Sequence, residues 1–335
     1  EVNDTPWGYS CSVLLESGKI ETVNTKSIIS AAGAWSNQFS PIQQVKPSKG
    51  THIILPDMNL NVALLLMSKK DGRVFFMIPW HGKTLVGTTD EFGKFEYNNP
   101  QISNHEIDYL LGNVNDFYNG RIWSKSDIED AFCGFRPLIH TDITQASNQT
   151  REDAYTWIKK NMLSVTGGKY TTYRLMSERA LNILHKKVFH KKTLLKSYTN
   201  QCDFIGKLDI KDWPSASQMD QLSNRYHINR ESLIHIIETY GGLYKEILNY
   251  IPHNQELSSK LDIEYPMIGA EMKYAISKEW TRKFSDFMLR RSYYGYLHKK
   301  DKALIKKAAH QFKQLTNSEE SEYEMIESII NRGVR

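Results

Sequence analysis

Three groups of residues in this sequence have the types and spacing for chemistry. The first lies in residues 164–174, Ser-Val-Thr-Gly-Gly-Lys-Tyr-Thr-Thr-Tyr-Arg. A short apolar, β-leaning stretch over 161–165 runs into Gly167 and Gly168, then Lys169, Thr171 and Thr172, and then a helical pattern. A strand that turns on a glycine pair into a helix aims backbone N–H groups at one spot, at the positive end of the helix dipole. Such a spot suits an anion, or a ring that becomes anionic during a reaction. An ordinary strand-to-helix turn shows the same pattern, because a single Gly-Gly is a weak fingerprint. A lysine at a helix N-terminus is electrostatically disfavoured, and Lys169 therefore leans the reading toward function.

The second group is Gly134-Phe135-Arg136-Pro137. Proline ends a ladder, so Arg136 can project from a strand end into a cleft. Its planar fork grips a carboxylate or a phosphate through two hydrogen bonds. The alternative is a surface arginine. The third group is Lys49-Gly50-Thr51-His52, at the head of the apolar run Ile53-Ile54-Leu55. A histidine there can act as a general base, because it titrates near working pH. The alternative is a hydrogen-bonded histidine at a strand edge. Small residues in Ser30-Ala31-Ala32-Gly33-Ala34-Trp35 add a close approach of backbone to a neighbour or a ligand.

The elements that must position these groups are mostly strands up to about residue 200. Residues 9–15 and 19–29 alternate around Glu16-Ser17-Gly18, a hairpin signal. Runs over 63–67, 74–80 and 84–90, joined by Asp71-Gly72-Arg73 and His81-Gly82-Lys83, predict an antiparallel meander with one face covered. Ser103 and Glu106 form a capping box for a helix with Ile107, Leu110, Leu111, Val114 and Phe117 on one face. A strand over 128–138 carries Arg136, and residues 141–151 read as a polar loop. The helix after the glycine pair runs from about Tyr173 and ends in a basic run, His185-Lys186-Lys187 to Lys191-Lys192. Beyond residue 200 the period is helical, and residues 270–296 form its longest pattern. The fold class is therefore α+β: residues 1–200 hold a mixed and antiparallel sheet region, and 201–335 an all-α C-terminal domain.

Bulk properties exclude several classes. The chain has 335 residues, 40% hydrophobic and 24% charged, as in a globular protein of about two domains. Cys11, Cys133 and Cys202 are far apart and in no ligand spacing, which predicts reduced thiols in a cytosolic protein and no metal centre. No run approaches the roughly 20 apolar residues of a membrane span. The net charge of +5 comes from interleaved signs, so nucleic acid is not expected as a partner. Arg282, Lys283, Arg290 and Arg291 have acidic neighbours in Glu279 and Asp286 and read as a solvated face. Gly-x-Gly-x-x-Gly, Walker A, His-Glu-x-x-His and nucleophile-elbow motifs do not occur. The chain opens on Glu1-Val2-Asn3-Asp4 directly before a strand-like run, which reads as the middle of a longer protein or a trimmed one.

Taken together, the 30–35, 49–52, 71–80 and 134–138 segments, Gly87-Thr88-Thr89-Asp90, residues 167–174 and the Ala270-Glu271-Met272-Lys273-Tyr274-Ala275 run resemble the FAD-dependent, quinone-linked glycerol-3-phosphate dehydrogenases. The order and spacing match over about residues 20–300, roughly the C-terminal two-thirds of such an enzyme. Ala34 stands where that family usually has proline. The family's Gly-rich strand-turn-helix for the ADP half of FAD, and its early Arg-Tyr pair near the substrate, have no counterpart here. The resemblance implies a remnant of an FAD-binding, Rossmann-like domain. It implies hydride transfer from C2 of sn-glycerol 3-phosphate to N5 of the flavin, giving dihydroxyacetone phosphate, with electrons passed to quinone. Carried over, Arg136 holds the substrate and His52 lies at its reacting face, while Lys169 and the amides after Gly167 and Gly168 lie by the N1/C2 edge of the ring. Gly33, Trp35, Thr171 and Thr172 complete the cofactor contacts. FAD is the cofactor of the complete enzyme, and the absent cradle predicts that this chain alone purifies colourless. The implied setting is the cytoplasm, on the membrane face, with a second copy of the chain as a further partner. The alternatives are a glycerol-3-phosphate oxidase or another flavin oxidoreductase such as an amino-acid oxidase, and an inactive remnant serving as an interaction module. Amino-acid oxidases generally lack the helical domain, which counts against them.

Overall fold

The computed structural model describes residues 1–15, 17–118, 120–140, 152–262 and 265–331. The polar stretch 141–151, Glu16 of the first turn, Asn119 and the last four residues of the tail lie outside them. Strands β1 (Val2–Thr5), β2 (Gly8–Leu14) and β3 (Ile20–Thr25) form an antiparallel meander. β4 (Ile28–Ser30) leads into a 3-10 helix over Gly33–Phe39. The main sheet follows with β5 (Ser48–Pro56), β6 (Leu64–Met67), β7 (Val74–Trp80), β8 (Lys83–Gly87), β9 (Glu91–Phe92) and, after helix α1 (Asn104–Phe117), β10 (Asp130–Arg136). Its order is β10-β5-β8-β7-β6, with β9 also paired to β5. β11 (Asp153–Lys159) and β12 (Met162–Gly167) form a third sheet with β4, and a 3-10 turn then opens α2 (Tyr173–Lys187).

β5 pairs with β10, β8 and β9, and its alternation decides what this part of the sheet presents. Ile53 and Leu55 face α1, where they join Phe75, Met77, Val86, Ile107, Leu110 and Val114 in one core. Full burial of each such side chain is worth about 2 kcal/mol. α1 starts where the sequence places it: Ser103 Oγ accepts from the Glu106 amide, and the Glu106 carboxylate accepts from the Ser103 amide at 2.9 Å. Because successive side chains alternate, Gly50 and His52 belong to the opposite face.

The C-terminal half is helical: α3 (Ala216–Tyr226), α4 (Arg230–Tyr240), α5 (Tyr244–Leu248), α6 (Gly269–Lys278), α7 (Phe284–Asp286), α8 (Tyr294–Leu297), α9 (Lys302–Leu315) and α10 (Glu322–Ile330). It holds two apolar cores, one around Leu233, Ile237 and Ile247, the other around Phe284, Phe287, Ile305 and Phe312. The single long helix expected over 270–296 is instead broken into α6, α7, a π-helical turn at Phe287–Arg291 and α8. Trp280 at φ 55° ends the first piece and Tyr293 at φ 50° precedes the last. The Trp280 ring stays exposed at the first bend, while at the second the half-buried Tyr293 ring stacks on His81 of the β7–β8 turn at 4.0 Å. Arg290 pairs with Asp286 at 2.9 Å, one helical turn away as the spacing suggests, whereas Arg291 reaches Glu279 at 3.6 Å across the break.

Candidate active site

Arg136 ends β10 opposite Ser48, and His52 lies opposite Phe132, so both belong to one sheet face with Gly50 between them. The guanidinium folds back over Gly50, where an added Cβ would overlap it. It is seated by the segment after β8. Nη2 donates to Thr88 Oγ1 at 3.0 Å, and Nη1 reaches the Thr89 carbonyl and Asp90 Oδ1 at 3.5 Å each. Ser48 Oγ donates to the same Asp90 carboxylate. The sequence places Arg136 at the end of a ladder and lets it project outward. Instead its fork is held in place across β5, about a quarter exposed, as a preorganised anion grip would be.

The His52 imidazole lies over Gly87, where a Cβ would collide with the ring. It stacks on Phe132 with centroids 5.1 Å apart, and Phe132 meets Tyr296 of α8 edge-on at 5.2 Å. The helical half therefore backs the ring that holds His52. Burial, and then the positive charge of Arg136, push the imidazole down to about 4. His52 is neutral at pH 7 and able to accept a proton.

The glycine-pair stretch sits beside a second strand end. β12 runs parallel to β4, with Ser164 opposite Ser30. Both chains thus leave the sheet at the same carboxyl edge, one through Gly33 and the other through Gly167 and Gly168. All three glycines have positive φ, 57°, 69° and 79°. In open α/β sheets that edge is where ligands bind. The loop 137–140 connects the two regions: Val45 bridges Ile139, and an added Cβ at Gly167 would strike both the Glu152 carbonyl and the Ile139 side chain. Gly167→Ala is expected to cost about 1–3 kcal/mol, from left-handed backbone and a contact with backbone that cannot give way. Urea unfolding of the variant measures it.

The donors at this turn differ in part from the expectation. The Gly168 amide is taken by the Glu152 carbonyl at 2.8 Å, and the Lys169 amide by Thr172 Oγ1 at 3.3 Å. Thr172 also donates to the Lys169 carbonyl at 2.9 Å, so its hydroxyl closes the turn. The amides of Tyr170 and Thr171 then lead the helix, and Lys169 and Thr171 are exposed. Trp35 lies in the 3-10 helix after Gly33 and donates to Asn98 Oδ1 at 3.2 Å. Its ring edge meets Tyr97, which meets Phe135 next to Arg136. The structure thus joins Arg136 to His52 on one face, and Gly33 to Gly167 and Gly168 at one strand edge. Thr88, Asp90 and Phe132 were not singled out from sequence. Their one signal was membership of the Gly87-Thr88-Thr89-Asp90 run and of the strand that carries Arg136.

The fold and this site define a class. Residues 4–170 match the family model for FAD dependent oxidoreductases, and residues 197–322 match the C-terminal domain of alpha-glycerophosphate oxidase. The chain belongs to the FAD-dependent oxidoreductases. Among its relatives, a glycerol-3-phosphate dehydrogenase of Mycobacterium leprae is 26% identical over 284 residues, covering 82% of this chain and 47% of that protein. An aerobic glycerol-3-phosphate dehydrogenase of Staphylococcus aureus is 28% identical over 293 residues, covering 84% and 52%. The chain spans about half the length of these curated relatives. A solved glycerol-3-phosphate dehydrogenase from Bacillus halodurans, complexed with FAD, shares the fold with a TM-score of 0.74 at 23% identity, over 94% of this chain and 63% of that one.

Proposed function

We propose that this chain supplies the substrate half and the ring-facing turn of a glycerol-3-phosphate dehydrogenase. The observation that carries the reading is Arg136 beside a neutral His52 on one sheet face, with glycines beneath both side chains leaving them room. The fork of Arg136 suits the phosphate of sn-glycerol 3-phosphate. His52 takes the proton of the C2 hydroxyl as the carbon is oxidised to the ketone of dihydroxyacetone phosphate. FAD, when bound, supplies the hydride acceptor. The parallel ends of β4 and β12 fit its ring: an added Cβ at Gly33 would point into open space, and Lys169 with the amides of Tyr170 and Thr171 offers positive charge where the ring turns anionic. The relatives' names support the substrate, and the FAD-complexed neighbour's shared fold supports the cofactor.

Electron transfer to quinone at a membrane surface belongs to the same reading. Lys186, Lys187, Lys191, Lys192 and Lys196 are exposed beside Phe189, Leu194 and Leu195, a pairing of cations and apolar side chains suited to anionic lipid. Among the described residues no helix is long and apolar enough to cross a membrane. The test of the substrate is calorimetric. sn-Glycerol 3-phosphate is expected to bind this chain, and glycerol, which lacks the phosphate, is not. Equal heats for the two, or none for either, would overturn the assignment.

A further inference from the structure

Beneath the Arg136 seat lies a buried ion pair that the reaction does not use. The Glu106 carboxylate is fully buried and Lys49 Nζ lies 2.7 Å from it, itself almost fully buried. Thr51 Oγ1 donates to Glu106 at 2.6 Å and Thr89 Oγ1 at 3.3 Å. Thr89 Oγ1 in turn accepts from the Thr51 amide at 2.9 Å, and the Thr89 amide donates to the Thr51 carbonyl at 3.2 Å. Lys49 Nζ also donates to the Gln101 carbonyl at 2.8 Å. Burial alone would raise the Glu106 carboxyl, but the hydrogen bonds from Lys49, Thr51 and Ser103 outweigh it and hold the group ionised.

Buried ion pairs are poor sources of net stability, because desolvation offsets most of the attraction. This one stands where three elements cross: β5, the start of α1 and the segment Thr88-Thr89-Asp90. That segment is also the seat of the guanidinium, through Thr88 Oγ1, the Thr89 carbonyl and Asp90. We propose that Thr89 and Glu106 are positioning residues, which fix the 88–90 segment against β5 and so hold the Arg136 fork over Gly50 and next to His52. The inference rests on the reading of Arg136 as the phosphate grip.

Thr89→Val removes both hydroxyl bonds at nearly constant volume, and Thr89→Ser restores them. The double variant Lys49→Met/Glu106→Gln removes both charges together and carries the same readouts should Thr89→Val not fold. Two quantities are read on the whole chain: affinity for inorganic phosphate by calorimetry, and the His52 titration midpoint by NMR of the imidazole. In Thr89→Val, phosphate affinity is expected to fall about tenfold, the effect of one misplaced charge-assisted hydrogen bond. The His52 midpoint should rise from about 4, because the nearby positive charge has moved away. Thr89→Ser should restore both, which a merely structural loss would not explain. A folded Thr89→Val with unchanged affinity and an unchanged midpoint overturns the proposal. Arg136→Ala separates the two ideas. If it binds phosphate like the native chain, Arg136 is not the grip, and the His52 midpoint alone then decides whether Thr89 and Glu106 position the guanidinium.

Discussion

Arg136→Ala is expected to weaken binding of sn-glycerol 3-phosphate by about a hundredfold or more. Truncating one partner of a desolvated, hydrogen-bonded charge pair costs about 2–5 kcal/mol, and each 1.4 kcal/mol is about a factor of ten. Arg136 belongs near the middle of that range because it stays about a quarter exposed. Its loss also leaves Asp90 facing the incoming phosphate without the intervening guanidinium, so like charges meet across the vacated site. Arg136→Lys should recover only part of the loss, since an ammonium cannot hold Thr88 Oγ1 and a phosphate through one planar fork. Calorimetric titration with the substrate reads both variants. In an FAD-containing protein the same substitution should raise KM while the flavin stays bound, because Arg136 lies on the main sheet and not at the strand edge of Gly33 and Gly167. An Arg136→Ala protein that binds the substrate as tightly as the native chain would remove Arg136 from the site.

How far the sequence went depended on whether a feature was local. The capping box of α1 was legible because Ser103 and Glu106 are three residues apart and both hydrogen bonds are short-range. The second task of Glu106, neutralising Lys49 across the sheet, was not, because the pair joins residues 57 positions apart once β5 lies against α1. The parallel pairing of β4 with β12 was equally hidden. Each strand is legible alone, but only the family resemblance put Gly33 and Gly167 near one ligand. The broken helix over 270–296 failed for another reason. No glycine or proline occurs between Lys273 and Tyr294, so propensity sees one continuous run. The breaks are carried by Trp280 and Tyr293 in left-handed conformations; stacking on His81 compensates the strain at Tyr293, and among the described residues no aromatic ring stacks on the exposed Trp280 to do the same there. One faint signal existed: Asp286 accepts from the Arg282 and Lys283 amides, an N-terminal capping pattern in mid-run. For Arg136 the strand end was legible and the direction was not, because its partners Thr88 and Asp90 lie on another strand's exit.

His52 gives the second large effect, through pH. Its imidazole titrates near 6.5 when unfolded and near 4 in the folded chain, lowered first by burial and then by Arg136. Between those values the unfolded chain binds a proton that the folded chain refuses, so stability rises with pH across that window. Below about 4 both states are protonated and the dependence levels off. The shift sets a ceiling of about 3 kcal/mol lost on acidification from 6.5 to 4. His298 is lowered to about 4 as well, by burial and then by Lys83, and contributes a slope of the same sign. His52→Asn is therefore expected to flatten the acid limb of a urea-stability profile without abolishing it. Substrate should act on the same group. A phosphate held by Arg136 cancels the charge that repels a proton from His52, so the midpoint of the imidazole should rise when sn-glycerol 3-phosphate binds and stay fixed with glycerol. The site would then make its base stronger only once the substrate is in place. A His52 midpoint that is near 6.5 without ligand, or that ignores the substrate, would break the link between the grip and the base.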